Sequence, residues 1–345
     1  MAMVTKDELA NIGVLDFEIY LNSLPVSDIL IGNGFSINLC ERLMYDSLCD
    51  MFNKSASDEI KAIFTGFDTT NFEKVLEALS NTEKVGGILG RDMKVIRNLK
   101  AELKSGLIST IHATHPKAAE IKDTMLRSLA KDFEPFTDVY TTNYDVFLYK
   151  IILSSNMLSE MNLESFKLFN DGFYEEIGNG KLGFVAFDQH PRNIVYLHGA
   201  LFLFAPLGHT FKLKRLDDGI EFINLIKQYL DHDEFPVYVA EGKADEKWEA
   251  VNNNYYLRTA HNKLKYRDAE VLVAYGFSFS KSDDHITSAI NSSKTKQLII
   301  SIRQRNNVKE VERELSRLRL KFPKIEVLFF NSDTLFTFDY PKNYY

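Results

Sequence analysis

The chain has 345 residues, of which 45% are hydrophobic and 26% charged, and its formal net charge is −7. This length allows a substantial core, the negative charge argues against direct nucleic-acid binding, and two cysteines are too few for a disulfide framework or a four-thiolate zinc site. Because the start lacks the apolar core of a signal peptide and no run approaches the roughly 20 apolar residues that span a bilayer, we expect a cytoplasmic protein without a membrane segment.

The first predicted strand runs into a glycine-containing turn. The apolar residues 29–31 are typical of a strand buried on both faces, and the sequence GNGFS follows at 32–36. Its two glycines allow a tight turn and a close approach of the backbone to a ligand. Ser36 is expected to cap a helix that begins near Ile37, whose free N–H groups favour an anion. Many strands turn into helices through glycine, so this turn alone is a weak indication of a nucleotide site.

Two long segments interrupt the pattern of strands. Apolar residues recur at helical spacing between Phe72 and Ile108, and this region is too long for a simple crossover. We therefore predict a helical layer at 50–130, inserted into a single domain that spans 1–345. The segment 156–192 is polar and contains glycine, and it is expected to be a lid or an irregular excursion.

The remaining strands alternate with helices. Such alternation predicts an α/β fold with a doubly wound, Rossmann-like parallel sheet. Ligands of these sheets lie beyond the carboxyl ends of the strands. Further strands are predicted at 138–141, 194–197, 236–240, 270–275, 297–302 and 325–330. Polar clusters follow four strands of the chain, at Gly32–Ser36, Thr141–Asp145, His198–Gly199 and Gly276–Ser278.

Each polar cluster also has an ordinary structural explanation. Asn-Tyr-Asp after a strand is usually a turn, since Asn and Asp bond to their own backbone. A single His-Gly usually marks a strand end. Their recurrence in order at equivalent strand ends is more specific than any one of them.

Together and in this order, GNGFS, TTNYD, LHG and YGFS resemble the signature of the sirtuin-like superfamily, whose members bind NAD in a doubly wound domain. The resemblance covers about 28–302 and is greatest to bacterial sirtuin-like proteins of phage defence, many of which hydrolyse NAD. It implies that Asn143 holds the nicotinamide ribose and the attacking water and that His198 is the catalytic histidine. The cofactor-binding residues that it implies are Gly32, Asn33, Gly34, Phe35, Ser36, Thr142, Asp145, Gly276 and Ser278.

The chain departs from the protein-deacylating sirtuins in two ways. Those enzymes carry a zinc module with four cysteines, and this chain has only Cys40 and Cys49. Thr142 stands where they usually have glutamine. Both departures favour water over an acyl oxygen as the nucleophile, and no metal site is expected.

The resulting prediction is an NAD glycohydrolase that releases nicotinamide and ADP-ribose. Two alternatives remain open, namely a non-catalytic module that senses NAD or ADP-ribose and an NAD-dependent protein deacylase. Preference between NAD and NADP, and formation of a cyclic product, also remain open. Because an unrestrained NADase would deplete its own cell, an antiviral effector of this kind is expected to need a homo-oligomer or a HerA-type ATPase partner for activity.

Overall fold

The computed structural model describes residues 4–39, 48–70, 72–114, 123–160, 168–178, 180–187, 192–206, 208–214, 222–232, 234–239, 244–303 and 307–337. The helices are α1 (Lys6–Asn11), α2 (Phe17–Leu21), α3 (Asn33–Leu39), α4 (Leu48–Asn53), α5 (Asp58–Gly66), α6 (Phe72–Ile88), α7 (Lys94–Thr114), α8 (Asp123–Asp132), α9 (Phe147–Glu160), α10 (Phe222–Asp231), α11 (Ala244–Asn253), α12 (Tyr255–Lys265), α13 (Asp284–Asn291) and α14 (Val308–Lys321). The strands are β1 (Val14–Leu15), β2 (Ser27–Ile31), β3 (Phe136–Thr141), β4 (Phe173–Glu176), β5 (Lys181–Phe184), β6 (Ile194–Tyr196), β7 (Gly199–Phe204), β8 (Phe211–Leu213), β9 (Pro236–Tyr238), β10 (Val271–Tyr275), β11 (Gln297–Ile302) and β12 (Glu326–Asn331).

Seven strands form a parallel sheet in the order β1-β12-β11-β10-β2-β3-β6. The chain passes from β2 outward through β3 and β6, and it later returns to β10 on the other side of β2. The order therefore reverses between β2 and β10, where α/β sheets have their ligand crevice. Every residue of β2 and β10 is buried, as expected for strands covered on both faces by helices. The predicted parallel α/β fold is confirmed.

A second sheet lies outside the predicted one. It has five strands in the order β4-β5-β8-β7-β9, and its pairs are antiparallel. It includes the strand predicted at 236–240, and β4 and β5 fall in the segment 156–192, which was expected to be irregular. Short apolar runs fit either kind of sheet, so their partners are decided by tertiary packing.

The helices α4 to α8 occupy the region predicted as an inserted helical layer, within its described residues. Three of their aromatic rings, Phe52, Phe64 and Phe72, pack edge to face with centroids 5.1–6.0 Å apart. The same apolar cluster includes Phe204 of β7 and Phe211 of β8. The helical layer thus shares its core with the second sheet. In the described part of the chain, every helix is too short or too polar to cross a bilayer.

A buried ion pair joins the strands at the edge of the sheet opposite the polar clusters. Arg267 Nη1 lies 2.9 Å from Asp28 Oδ2, and the two side chains are 0% and 3% exposed. Arg267 Nη2 donates to Thr295 Oγ1 at 2.6 Å, while Asp28 Oδ1 accepts the backbone N–H of Asp138 at 3.1 Å. The pair therefore connects β2, β3 and the approaches to β10 and β11.

The Asp28 carboxyl group should make the protein less stable as the pH rises from about 4 to about 6. Burial raises the pKa of Asp28 to about 6, although Arg267 opposes that rise. The unfolded chain has a pKa of about 3.9 at this group, so the folded state binds the proton more tightly and loses that advantage as pH rises. Two pKa units correspond to at most about 3 kcal/mol.

Urea unfolding between about pH 4.5 and 6.5 measures this dependence. The free energy of unfolding of the wild type should fall with pH relative to that of Asp28→Asn, which cannot titrate at this position. Asp268→Asn, at an exposed carboxyl, is the control and should keep the wild-type slope. Parallel curves for the wild type and Asp28→Asn would contradict the assigned shift.

Candidate functional site

The four polar clusters lie at one edge of the parallel sheet. They follow β2, β3, β6 and β10, and these strands are neighbours in the order β10-β2-β3-β6. Because parallel neighbours end at the same edge, the fold gathers residues that are up to 246 positions apart in the chain, from Gly32 to Ser278. The sequence-predicted site therefore occupies the reversal of strand order between β2 and β10 and the two strand ends beside it.

The turns after β2 and β10 are in direct backbone contact. Gly32 N donates to Tyr275 O and Gly34 N donates to Gly276 O, both at 2.9 Å. A Cβ atom on Gly34 would lie 2.6 Å from the Gly276 Cα. The sequence predicts that these glycines let the backbone approach a ligand closely, but in the structure they approach the turn after β10. The N–H groups of Gly32 and Gly34 both donate to carbonyl groups at that turn.

Ser36 does not cap a helix, which corrects the sequence interpretation. The helix α3 begins at Asn33, so Ser36 lies inside it and is fully buried. Its hydroxyl instead donates to Asp145 Oδ2 and accepts from Asn143 Nδ2, the latter at 2.8 Å. Helix α3 therefore carries Ser36 into contact with the turn after β3.

Asn143 is held by two donated hydrogen bonds. Besides Ser36 Oγ, its Nδ2 donates to Gly32 O at 3.1 Å, and its backbone N–H donates to Thr141 Oγ1 at 3.0 Å. Both amide hydrogens are therefore used, which fixes the side chain and leaves Oδ1 as the accepting atom. Asp145 Oδ1 accepts the N–H of Phe147 at 2.8 Å, so the same carboxylate anchors the start of α9.

Three other predicted cofactor residues have diverse surroundings. Phe35 is buried in the core, where its ring meets Phe336 at a centroid distance of 4.9 Å. Thr142 is half-buried and donates its N–H to Ile31 O at 3.1 Å. Ser278 is exposed, and its carbonyl accepts from the Arg317 guanidinium. Phe35 thus serves the core with its side chain, while Ser278 lies at the surface.

His198 follows β6 and faces a second histidine. Its Nε2 lies 2.9 Å from Nε2 of His285, and the two rings stack with centroids 5.1 Å apart. His285 is the second residue of α13, the helix that follows β10. The two histidines are 5% and 8% exposed. The fold therefore joins the third polar cluster to the helix that follows the fourth.

Burial makes both imidazoles neutral at pH 7. Burial and the neighbouring His285 hold the pKa of His198 well below its usual value. Burial also lowers the pKa of His285 to about 4, against an opposing effect of Asp283. A neutral imidazole can accept a proton or bind a metal ion through its lone pair.

Asp283 and Lys247 complete the surroundings of this histidine pair. Asp283 precedes α13 at its N-cap position, but its side chain makes no capping hydrogen bond. It accepts instead from Lys247 Nζ at 2.7 Å and from Ser280 Oγ at 2.9 Å. Side-chain ligand atoms of His198, Asp283 and His285 all lie within 4.8 Å of one another.

Sequence reasoning missed the roles of Asp283, His285 and Lys247. In the sequence, Asp283 and Asp284 are candidates for helix caps or ribose contacts, and the available signal for a further role was the Asp-Asp-His run, which begins five residues after the YGFS cluster. Glu241, a further candidate ribose contact in the sequence, lies outside the described residues. The structure also has a pocket of about 640 Å³ between α6, α7 and α10, lined by Glu83, Arg97 and other residues that belong to none of the four clusters.

The comparisons with known proteins give one family. The sequence model of the family described as "Domain of unknown function (DUF4917)" matches residues 29–337, which include all four polar clusters and Asp283 and His285. The comparison with curated proteins gives no match.

Proposed function

The chain belongs to the DUF4917 family, and because the description of that family names no activity, we propose one from the chemistry of the site: hydrolysis of NAD to nicotinamide and ADP-ribose. The observation that carries the proposal is the fixed Asn143 side chain at a strand end that neighbours the one bearing His198. The proposal includes a sirtuin-like mode of NAD binding along the carboxyl edge of β10, β2, β3 and β6.

Cleavage of the bond between nicotinamide and ribose develops positive charge on the ribose, as in glycoside hydrolysis. Nicotinamide is a good leaving group and takes the electron pair of the broken bond, so no strong general acid is required. The reaction needs a fixed ribose and a placed water. Asn143 suits this task because its two amide hydrogens are tied to the protein, which holds Oδ1 ready for a water or a ribose hydroxyl.

His198 is proposed as the proton acceptor. The water oxygen forms a bond to the ribose carbon as the bond to nicotinamide breaks, and the proton leaving that water passes to the neutral imidazole. His285, at 2.9 Å, is the group to which His198 could relay the proton. The residues Ser36 and Asp145 act through Asn143 and are positioning residues.

The expected result is nicotinamide release by the wild-type chain, without any peptide, that falls at least about 100-fold in Asn143→Ala and in His198→Ala. Release is measured by chromatography of the NAD reaction. His232→Ala and Asn253→Ala, both at exposed positions, are the matched controls and should retain wild-type release. Release that persists in both site variants would contradict the assignment of the site.

A non-catalytic NAD or ADP-ribose sensor is the second candidate. It is favoured by the engagement of His198 with His285 and by the use of the Gly32 and Gly34 N–H groups inside the protein. Calorimetric binding of NAD without product, at every protein concentration, would select the sensor. Consumption of an acylated peptide together with NAD would select a deacylase instead.

The proposal extends to regulation by assembly. We expect specific activity to rise with protein concentration if a homo-oligomer is the active form, or on addition of a HerA-type ATPase if a partner is required. The chain would then be an antiviral effector that is inactive alone. Full specific activity in a purified monomer would contradict this regulation.

A further inference from the structure

The cluster of His198, His285 and Asp283 has the composition of a transition-metal site. It offers two imidazole nitrogens and one carboxylate, contributed by the end of β6 and the start of α13. Two His and one carboxylate is a donor set that zinc-class ions take, whereas calcium and magnesium prefer oxygen ligands throughout. The donor set therefore selects a class of ion.

The geometry is close to that of a bound ion. Two nitrogens bonded to one tetrahedral zinc ion at about 2.0–2.1 Å lie about 3.4 Å apart. The two Nε2 atoms lie 2.9 Å apart, so binding requires the rings to separate by about half an ångström. A carboxylate oxygen of Asp283, whose side chain is held by Lys247 and Ser280, lies within 4.8 Å of both nitrogens.

The surroundings hold the carboxylate ligand in place. Lys247 and Ser280 each donate to one oxygen of Asp283, and a carboxylate with two such bonds still has lone pairs for a metal. The three ligand residues are 5–9% exposed, so the cluster is nearly closed to bulk solvent. The Lys247 ammonium lowers the affinity for a cation, so the site is expected to be weaker than a structural zinc site.

We propose that His198, His285 and Asp283 bind one divalent ion of the zinc class, with the fourth position open to water or another small ligand. This ion would occupy Nε2 of His198. If the proposed NAD hydrolysis uses that atom as proton acceptor, zinc should inhibit it. This consequence depends on the proposed function, whereas metal binding itself does not.

Cobalt(II) is the direct probe, because a four-coordinate cobalt site with nitrogen ligands gives visible absorption bands that hydrated cobalt lacks. The full chain, freed of metal with a chelator, should take up about one equivalent of cobalt, and zinc should displace it. In His285→Gln and Asp283→Asn the dissociation constant should rise about 100-fold or more. No measurement of NAD enters this experiment.

Two controls separate loss of ligands from loss of fold. Asp284→Asn removes the adjacent carboxylate, which instead pairs with Lys321 at 2.9 Å, and His232→Gln removes an exposed histidine. Both should bind cobalt as the wild type does. Circular dichroism of each variant establishes that it is folded, and zinc should raise the melting temperature of the wild type more than that of His285→Gln.

Two results would overturn the proposal. The first is a wild-type chain that gives only the spectrum of hydrated cobalt. The second is equal cobalt affinity in the wild type, His285→Gln and Asp283→Asn, which would mean that the ion binds at another site on the chain. Failure of zinc to inhibit NAD cleavage, with cobalt binding intact, would count against His198 as the base and leave the metal site standing.

Discussion

Gly276→Ala should leave the chain without a stable native state, or destabilise it by more than about 3 kcal/mol. Gly276 has a φ of +64°, a conformation that strains any residue with a Cβ. That Cβ would also lie 2.6 Å from Phe35 N and 2.7 Å from Gly34 Cα. Both are backbone atoms of the facing turn and cannot rotate away, so the two turns after β2 and β10 would have to separate.

Gly13→Ala is the matched control for this prediction. Gly13 has a φ of +85°, but no atom lies within 4 Å of the Cβ that the substitution would add. It should therefore cost only the strain of the backbone, about 1–2 kcal/mol. Urea denaturation compares the two variants, and equal losses would mean that the contact between the turns has no energetic role.

Arg267→Met should lower the free energy of unfolding by about 3–5 kcal/mol. Met fills much of the volume of Arg, but Asp28 must then either stay buried as an unpaired carboxylate or take up a proton at pH 7, and Thr295 loses the guanidinium donor. An uncompensated buried charge is costly because it keeps none of its hydration. Urea unfolding of the variant at pH 7 measures this loss.

The double variant Asp28→Leu/Arg267→Met should recover part of that loss, since it removes both charges together. Lys294→Met is the surface control. Lys294 pairs with Asp268 at 2.7 Å, yet both side chains are exposed, so its removal should change stability little. If the double variant loses as much free energy of unfolding as the two single variants lose together, the two side chains do not act as a pair.

The elements of the parallel sheet could be predicted because their signals are local. The strands β2, β10 and β11 are short apolar runs that end in glycine or polar residues, and the structure has them within two residues of the predicted bounds. The four polar clusters could be located in the same way, since the end of a strand is marked by its own turn residues. The second sheet escaped prediction because β4, β5 and β8 have three or four residues each, too few to establish a period, and because the predicted strand β9 does not by itself indicate its partners.

The positions of the main residues of the candidate site could be predicted, but their contacts could not. The sequence indicates Asn143 and His198 at strand ends, and both lie there. It does not indicate that Asn143 bonds to Ser36, which is 107 residues away, or that His198 meets His285, which is 87 residues away. Such contacts depend on which strands are neighbours, and local patterns carry no information about strand order.

The α/β pattern and the polar clusters after β2, β3, β6 and β10 could be predicted from local sequence, because hydrophobic period and turn chemistry act over a few residues. The close contact between the turns at Gly34 and Gly276, and the pairing of Arg267 with Asp28, became visible only in the folded chain. The tertiary structure alone also joined His198 to His285 and Asp283. These pairings arise when the sheet is assembled, because hydrogen bonds and steric exclusion act between whatever surfaces the strand order brings into contact.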